Sequence, residues 1–335
     1  MRIAVDAMGG DFAPREIVAG TIDAARHLTG VEKLFLVGDE AAIRQECARH
    51  GPLPAVVEIR HCTEVVGMEE SPAGAVRRKK DSSISRAVDL IKIGEADAVF
   101  SAGNTGAAVA AMTLKLRTLA GVERPAIATI IPAPRPFILI DAGANPDSTS
   151  RMLAQFAVMG SVYAREILAI ARPRIGLLSV GTEESKGNQI TKDVFQTLEK
   201  SPLNFFGNVE GHDLFEGKVD VIVCDGFVGN VVLKTCEAVA HVMKTWLKEE
   251  LTRTPIRMLG AALLKGAFGA IRKKSDPDVF GGAPLLGVNG VCIIGHGVSN
   301  AFAVRNGIRV AGEWVSHNLN QQIIAGIQEM ESSAT

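Results

Sequence analysis

Aromatic residues make up only 5% of this 335-residue chain, so its core has to come from the Ala, Val, Ile and Leu within a 47% hydrophobic content. That composition suits parallel strands buried on both faces by helices. Net charge is equally scarce. A formal value of −1 gives no whole-molecule attraction to nucleic acid, and any pull toward an anionic surface must be local. Among the five cysteines (Cys47, Cys62, Cys224, Cys236, Cys292) no pair has CxxC spacing, and no His/Cys cluster has zinc-site spacing. Reduced thiols in a cytosolic protein without a bound metal are expected. There is no Walker A pattern, no GxGxxG and no GxSxG, so neither nucleotide binding nor a serine nucleophile has a motif behind it. No apolar run is long enough to span a bilayer. Met1-Arg2-Ile3-Ala4-Val5-Asp6 reads as the entry to a strand, not as part of a signal peptide.

Glycine, by contrast, is abundant: 34 residues, many of them at the ends of apolar strand signals. The stretch that organises the rest is Ser101-Ala102-Gly103-Asn104-Thr105-Gly106, between a strand signal over 96–100 and an alanine-rich helix over 107–119. A glycine turn there leaves backbone N–H groups unpaired at a positive helix end, which suits phosphate or another anion. The design recurs with a strand over 219–223, a loop over 224–230 and a helix from Val231, so that Asp97, Gly103 and Gly106 match Asp220, Gly226 and Gly229 at one constant offset. Two such loops can face each other across a cleft between two α/β halves, although ordinary turns use the same glycines.

Further strands are expected at 3–6, 33–37, 56–61, 126–131, 137–141, 174–180, 204–210 and 291–294. Helices are expected at 15–27, 149–171 and 301–327. The proline-rich Pro132-Ala133-Pro134-Arg135-Pro136 is a candidate hinge between lobes. Asp6 and Asp11 stand where ligands gather in open α/β sheets, or simply cap the next helix. Lys186 sits between Gly181 and Gly187, and His296 between Gly295 and Gly297. Ser71-Pro72 opens a helix whose last turn carries Arg77, Arg78, Lys79 and Lys80; these suit the helix dipole and offer a landing place for an acidic protein or a phosphate.

Between Glu250 and Asp276 there is no acidic residue, while Arg253, Arg257, Lys265, Arg272, Lys273 and Lys274 interleave with apolar positions. The pattern fits a helical hairpin on an anionic membrane surface, with Ile256, Met258, Leu259, Leu263, Leu264 and Phe268 as contacts, or the seam of a homodimer, or both.

Taken in order, several motifs resemble one family. They are Gly9-Gly10-Asp11; Glu70-Ser71-Pro72 with Arg77 and Lys80-Asp81-Ser82-Ser83; the 101–106 stretch; Asp141-x-Gly143-Ala144-Asn145; Lys186-Gly187-Asn188; Gly207-Asn208-x-Glu210-Gly211; Gly226-Phe227-x-Gly229-Asn230-x-x-Leu233-Lys234; Gly281-Gly282-Ala283-Pro284; and His296-Gly297-x-Ser299. The chain is similar to the bacterial acyl-carrier-protein:phosphate acyltransferases of phospholipid synthesis over almost its whole length, departing at Ala238, where glycine is expected. The resemblance implies an α/β fold of two lobes, each an α/β/α sandwich, similar to phosphotransacetylases and to isocitrate dehydrogenase, with a protruding helical hairpin. The lobes would be 1–135 with 291–335, and 136–290, the second including the hairpin 231–275. It also implies a homodimer without cofactors, on the inner face of the cell membrane, with acyl-carrier protein, inorganic phosphate and a membrane-bound glycerol-phosphate acyltransferase as partners.

In the reaction so implied, phosphate attacks a thioester, and a thiol with a pKa near ~8.5 leaves readily. The site then has to hold phosphate at the carbonyl, stabilise an oxyanion and exclude water. Phosphate is expected on Gly103, Asn104, Thr105, Gly106 and Gly229, with Lys234 facing the same anion. Lys186, Asn230 and His296 are the expected catalytic groups, the last two as oxyanion donors and His296 also as proton donor to the thiolate. Arg77 to Lys80 would dock the acidic carrier. A decarboxylating hydroxyacid dehydrogenase and a non-enzymatic membrane scaffold are the alternatives. The first needs a carboxylate cluster and a nucleotide pocket, neither of which the sequence shows.

Overall fold

Short strands of Ala, Val, Ile and Leu are what the composition demands, and eleven of them form one sheet in the computed structural model, which describes residues 1–333 apart from the side chains of residues 272, 273 and 277. They are β1 (Arg2–Asp6), β2 (Lys33–Gly38), β3 (Val57–His61), β4 (Ala98–Ser101), β5 (Ala126–Ile131), β6 (Phe137–Ile140), β7 (Ile175–Leu178), β8 (Phe205–Val209), β9 (Val221–Val223), β10 (Ala283–Leu286) and β11 (Val291–Ile294). Across the sheet the order is β3-β2-β1-β4-β11-β10-β5-β6-β9-β7-β8. The first five strands are mutually parallel, as are the last four. Antiparallel pairing of β10 with β11 and β5, and of β5 with β6, joins these halves at the centre.

Side chains alternate between the two faces, as a pleated strand requires. From β1, Ile3 and Val5 enter the cluster under α1 (Arg15–His27) and α11 (Ala301–His317), while Ala4 enters the one under α3 (Pro72–Arg78), α4 (Ser83–Lys92) and α5 (Thr105–Leu116). In the second half Ile138, Ile140, Ile175 and Leu177 meet α6 (Ser150–Ile167) and α7 (Gln189–Glu199). Trp314 of α11 lies against Tyr163 of α6 with ring centroids 5.9 Å apart, which ties the halves together across that face. The repeat seen in the sequence is physical. Arg2 holds Asp97 and the Gly94 carbonyl, and Arg174 holds Asp220 and the Gly217 carbonyl, each carboxylate also accepting the arginine's own N–H at 2.8 Å.

Several expectations are corrected. The segment 132–136 is not a free hinge but the turn of the β5–β6 hairpin, whose strands pair from Ala128↔Ile140 to Ile131↔Phe137. The closing helix divides at Asn318, whose left-handed backbone (φ 52°) ends α11 before α12 (Leu319–Ser333). Strand β10 and the helices α2 (Glu40–Ala48) and α7 were not anticipated. The stretch 226–230 is not a loop: α8 (Gly226–Thr252) begins there, capped by Asp225 accepting from Val228 N at 2.9 Å. Only Gly226 and Gly229 of its 27 residues are buried, and α9 (Pro255–Leu263) and α10 (Lys265–Ser275) continue the projection.

Candidate functional site

Three neighbouring strands, β1, β4 and β11, deliver the loops 7–14, 102–104 and 295–300 to one edge of the first half. Backbone bonds lace them together: Asp11 N to Gly297 O and Gly295 N to Ser101 O, both at 2.8 Å. The approach is close enough to require glycine, since a Cβ on Gly9 would lie 2.7 Å from Asp6 Oδ2 and 2.8 Å from Gly103 N. Asp6 is 3% exposed; Oδ2 accepts from Ser101 Oγ at 2.6 Å, and the Ser83 hydroxyl and the N–H groups of Met8 and Gly9 also stand at the carboxyl. Burial raises this carboxyl above the ordinary aspartate range, and the Ser101 and Ser83 hydroxyls offset part of that.

The expected phosphate turn has donors of two kinds. The Gly103 N–H turns back to Ser101 Oγ at 3.2 Å. The Asn104 side chain is structural: its Oδ1 caps α5 through Ala107 N at 3.0 Å, and its amide donates to the carbonyls of Met68 at 2.9 Å and Glu70 at 3.1 Å. Thr105 is exposed and Gly106 packs beside Pro72, and their N–H groups, in the first helical turn, have no intrahelical partner. These two and the Asn104 N–H, which has no acceptor among the described residues, are the donors the turn can offer an anion.

In the second half Asp141 organises the edge. Its Oδ1 accepts from the N–H groups of Ile127, Gly143 and Ala144 at 2.9–3.1 Å, and its Oδ2 from Asn145 N at 2.7 Å and Nδ2 at 2.9 Å. Gly229 packs on the Asp141 carbonyl, and its N–H is spent on Asp225 O at 2.9 Å, so it presents no free donor; the expected phosphate contact there is corrected to a packing role. Asn230 is exposed beside Gly143, where a Cβ would stand 3.5 Å from its own. Lys186 is exposed on the loop that follows β7, with no ion pair among the described residues; Asn208 Nδ2 to Glu183 O at 2.9 Å fastens that loop.

The halves meet on α8. Glu237 Oε2 lies 2.8 Å from Lys234 Nζ and 3.8 Å from His296 Nε2, so the structure brings together two expected site residues through a third that sequence reasoning passed over. The i,i+3 spacing of Lys234 and Glu237 was the available signal. Among the described residues no hydrogen bond or ion pair links this cluster to Lys186, to Asn230 or to the 103–106 turn.

His296, and with it Lys234, hold the Glu237 carboxylate down to about 2, against the opposing effect of partial burial. A folded-state value below the ordinary one contributes stability above the unfolded pKa, which is lost as pH falls through about 2. Because the side chain is 39% exposed, solvent screening reduces the contribution to about 1 kcal/mol. Glu237→Gln should therefore lower the unfolding free energy measured by urea titration at pH 6 by that amount, with the gap closing toward pH 2. A gap constant across that range would assign the effect to packing instead of charge.

Of the expected docking cations, Arg77, Arg78 and Lys80 are exposed. Lys79 turns inward to Glu70, at 2.5 Å, and to Val65 O, at 2.7 Å. On the hairpin, Ile256 and Leu263 are more than four-fifths exposed, Met258, Leu259 and Leu264 are exposed and Phe268 is half-buried. Glu250 engages Arg253 and Arg257. Along α8, Val239, Val242, Met243, Trp246 and Leu247 form an exposed apolar stripe at helical spacing. Among the described residues no helix is long and apolar enough to cross a membrane.

A large mixed sheet with helices on both faces, and glycine turns at the ends of its parallel strands, defines an α/β protein of the phosphotransacetylase architecture. A solved phosphotransacetylase from Streptococcus pyogenes superposes with a TM-score of 0.61 at 16% identity, covering 95% of this chain and 94% of that one. A 4-hydroxythreonine-4-phosphate dehydrogenase from Klebsiella pneumoniae shares the fold at a TM-score of 0.51 and 13% identity, covering 94% and 98%, so architecture alone does not choose between the two chemistries. Sequence does. The chain belongs to the fatty acid synthesis protein family, which it matches over residues 1–322. It is 51% identical over 325 residues to a phosphate acyltransferase of Desulfitobacterium hafniense, covering 96% of both chains.

Proposed function

We propose that this chain transfers an acyl group from a thioester to inorganic phosphate, giving an acyl phosphate and a free thiol. The observation that carries this reading is the half-identity, over nearly the full length, to a phosphate acyltransferase. The finer reading takes a long-chain fatty acyl group on acyl-carrier protein as donor and supplies the acyl phosphate to a membrane-bound glycerol-phosphate acyltransferase in phospholipid synthesis.

The chemistry asks for no enzyme nucleophile, because a phosphate oxygen attacks the carbonyl itself. The cysteines agree: burial raises all five thiols, Cys62 and Cys292 to about 12, so none is poised as a thiolate. Phosphate is held by the N–H groups of Thr105 and Gly106 at the positive end of α5 and by the ammonium of Lys186. Asn230 donates to the oxyanion. His296, its Nδ1 accepting from Val298 N at 3.3 Å, donates its one hydrogen, on the Nε2 that rests 3.8 Å from Glu237, to the oxyanion, and the thiolate, a good leaving group without acid help, takes its proton from solvent. Lys234 adds positive charge beside the ring.

Lobes 1–135 with 291–335, and 136–290, form the two sides of the cleft. The apolar stripe of α8 serves as the seam of a homodimer, and the exposed residues of α9 touch the inner face of the cell membrane. Arg77, Arg78 and Lys80 receive the acidic carrier. The deciding experiment measures thiol release from palmitoyl-carrier protein by the purified chain, with hydroxylamine trapping the acyl product. Phosphate-dependent release with hydroxamate formation is expected. Release without phosphate would mean a thioesterase, and no release would remove the reading.

A further inference from the structure

The motif Gly207-Asn208-x-Glu210-Gly211 has no part in the arrangement above. Phe205 of β8 pairs with Ile175 of β7, but Gly207, not Phe206, pairs with Gly176, so Phe206 is the extra residue of a β-bulge. Gly207 permits it with φ +118°, a backbone that side chains rarely adopt. A shift of one residue turns every later side chain of the strand to the other face. Asn208 therefore stands opposite Leu177 in place of Leu178, and it is 3% exposed. Burying an amide costs free energy unless hydrogen bonds replace those lost to water. Asn208 has one such bond: Nδ2 donates to Glu183 O at 2.9 Å, while Oδ1 has no partner among the described residues.

The Glu183 carbonyl is itself shared, because Lys186 N donates to it at 3.0 Å. One carbonyl thus joins the turn that carries Lys186 to a buried side chain of the sheet. Ser179 N to Val209 O at 2.9 Å holds the root of the same loop, one residue beyond Asn208. Packing alone does not call for an amide here, since an apolar side chain would fill the space without the cost of burial. We infer that Asn208 is a positioning residue: through the Glu183 carbonyl it fixes where the Lys186 ammonium meets phosphate. The inference rests on Lys186 as the phosphate-binding charge. An ammonium displaced by about 1 Å loses much of its effect on a reacting phosphate.

Steady-state kinetics with phosphate varied test it on Asn208→Leu, Lys186→Ala and the double variant. Asn208→Leu keeps the branched shape but loses the donor, and should lower kcat/KM for phosphate by about 10-fold or more. In the Lys186→Ala background the same change should cost less than about threefold, because no ammonium is left to position. A full loss in both backgrounds would mean that Asn208 supports the fold or another group; it overturns the inference and leaves Lys186 its role. So does an Asn208→Leu variant as active as the wild type beside an impaired Lys186→Ala. A Lys186→Ala variant of normal turnover removes the assignment of Lys186 and the inference together. Should Asn208→Leu fail to fold, Asn208→Asp takes its place. Its carboxyl carries a donor hydrogen only when protonated, and burial raises such a carboxyl, so its kcat/KM relative to the wild type should rise about tenfold from ~pH 8 to ~pH 5.5. A flat ratio, or failure of both variants to fold, assigns the amide to the fold and overturns the inference.

Discussion

Gly229→Ala is expected to destabilise the chain by about 3 kcal/mol or more and to remove activity with it, an effect at the upper end for a single added methyl. The new Cβ would stand 1.9 Å from the Asp141 carbonyl oxygen, a backbone atom that cannot swing aside as a flexible side chain does. The 141–145 loop cannot withdraw cheaply either. Asp141 is fully buried, its carboxylate accepts five hydrogen bonds, and Gly226 N donates to Asn145 O at 2.8 Å, so the loop and the start of α8 are one unit. The control is Gly260→Ala in α9. There a Cβ meets nothing within 4 Å, and the better helix former should be neutral or stabilising by up to ~1 kcal/mol. Urea unfolding of both variants decides it. A Gly229→Ala midpoint close to the wild type would mean that α8 slides freely over the 141–145 loop.

The same residue shows where sequence reasoning stops. Strands β5 and β11 and helix α1 are legible to the residue, because apolar runs or a 3.6-residue period are bounded by glycine, proline or charge. Gly226 and Gly229 were legible as special but not as what they are. A glycine that binds an anion and a glycine that admits a neighbouring backbone look alike in sequence, and only the Asp141 carbonyl at this spot separates them. The Asn104 side chain was ambiguous for a related reason. It suits an anion turn and an N-cap equally, and the carbonyls of Met68 and Glu70 that consume its amide come from a segment far upstream. The proline run 132–136 suggested a hinge because proline reports stiffness, not the pairing partner; hairpin pairing of β5 with β6 is a long-range fact.

Glu237 was passed over as a candidate, whereas Asp6 was read as a cleft residue or a cap without a choice between them. Glu237 sits in the polar pattern of a helix that looks wholly solvated, and its importance comes from His296 arriving from β11. Asp6 was noticed at a strand end, but what distinguishes it from Asp141 is how each carboxylate is held: by one short bond from Ser101 Oγ in the first case and by five donors in the second. Both counts depend on strands that pair only in the folded sheet.

Lys186→Ala is expected to lower kcat/KM for phosphate by about 10²–10³-fold while leaving the melting temperature unchanged. The separation follows from its surroundings. Lys234 is held by Glu237, Lys218 by Asp213 and Glu216, and Arg174 by Asp220, so these second-half cations already have carboxylate partners. Lys186 is exposed with no ion pair among the described residues, so removing it breaks nothing in the resting fold. Its loop is nonetheless held in place. A Cβ on Gly181 would lie 2.7 Å from Lys186 Cγ, so the lysine stem runs tightly over that glycine, and Gly187 turns the chain at φ +95°. A charge that is free yet aimed by a fixed loop can meet an incoming dianion without first losing another partner. If it contacts phosphate equally in the ground and transition states, the loss appears in KM; if it meets charge that develops during attack, the loss appears in kcat. Lys186→Arg keeps the charge on a longer, planar head and should recover part of the activity in the first case and little in the second. Turnover within threefold of the wild type for Lys186→Ala would place the phosphate-binding charge elsewhere, with Lys234, once released by Glu237→Gln, as the next cation to test.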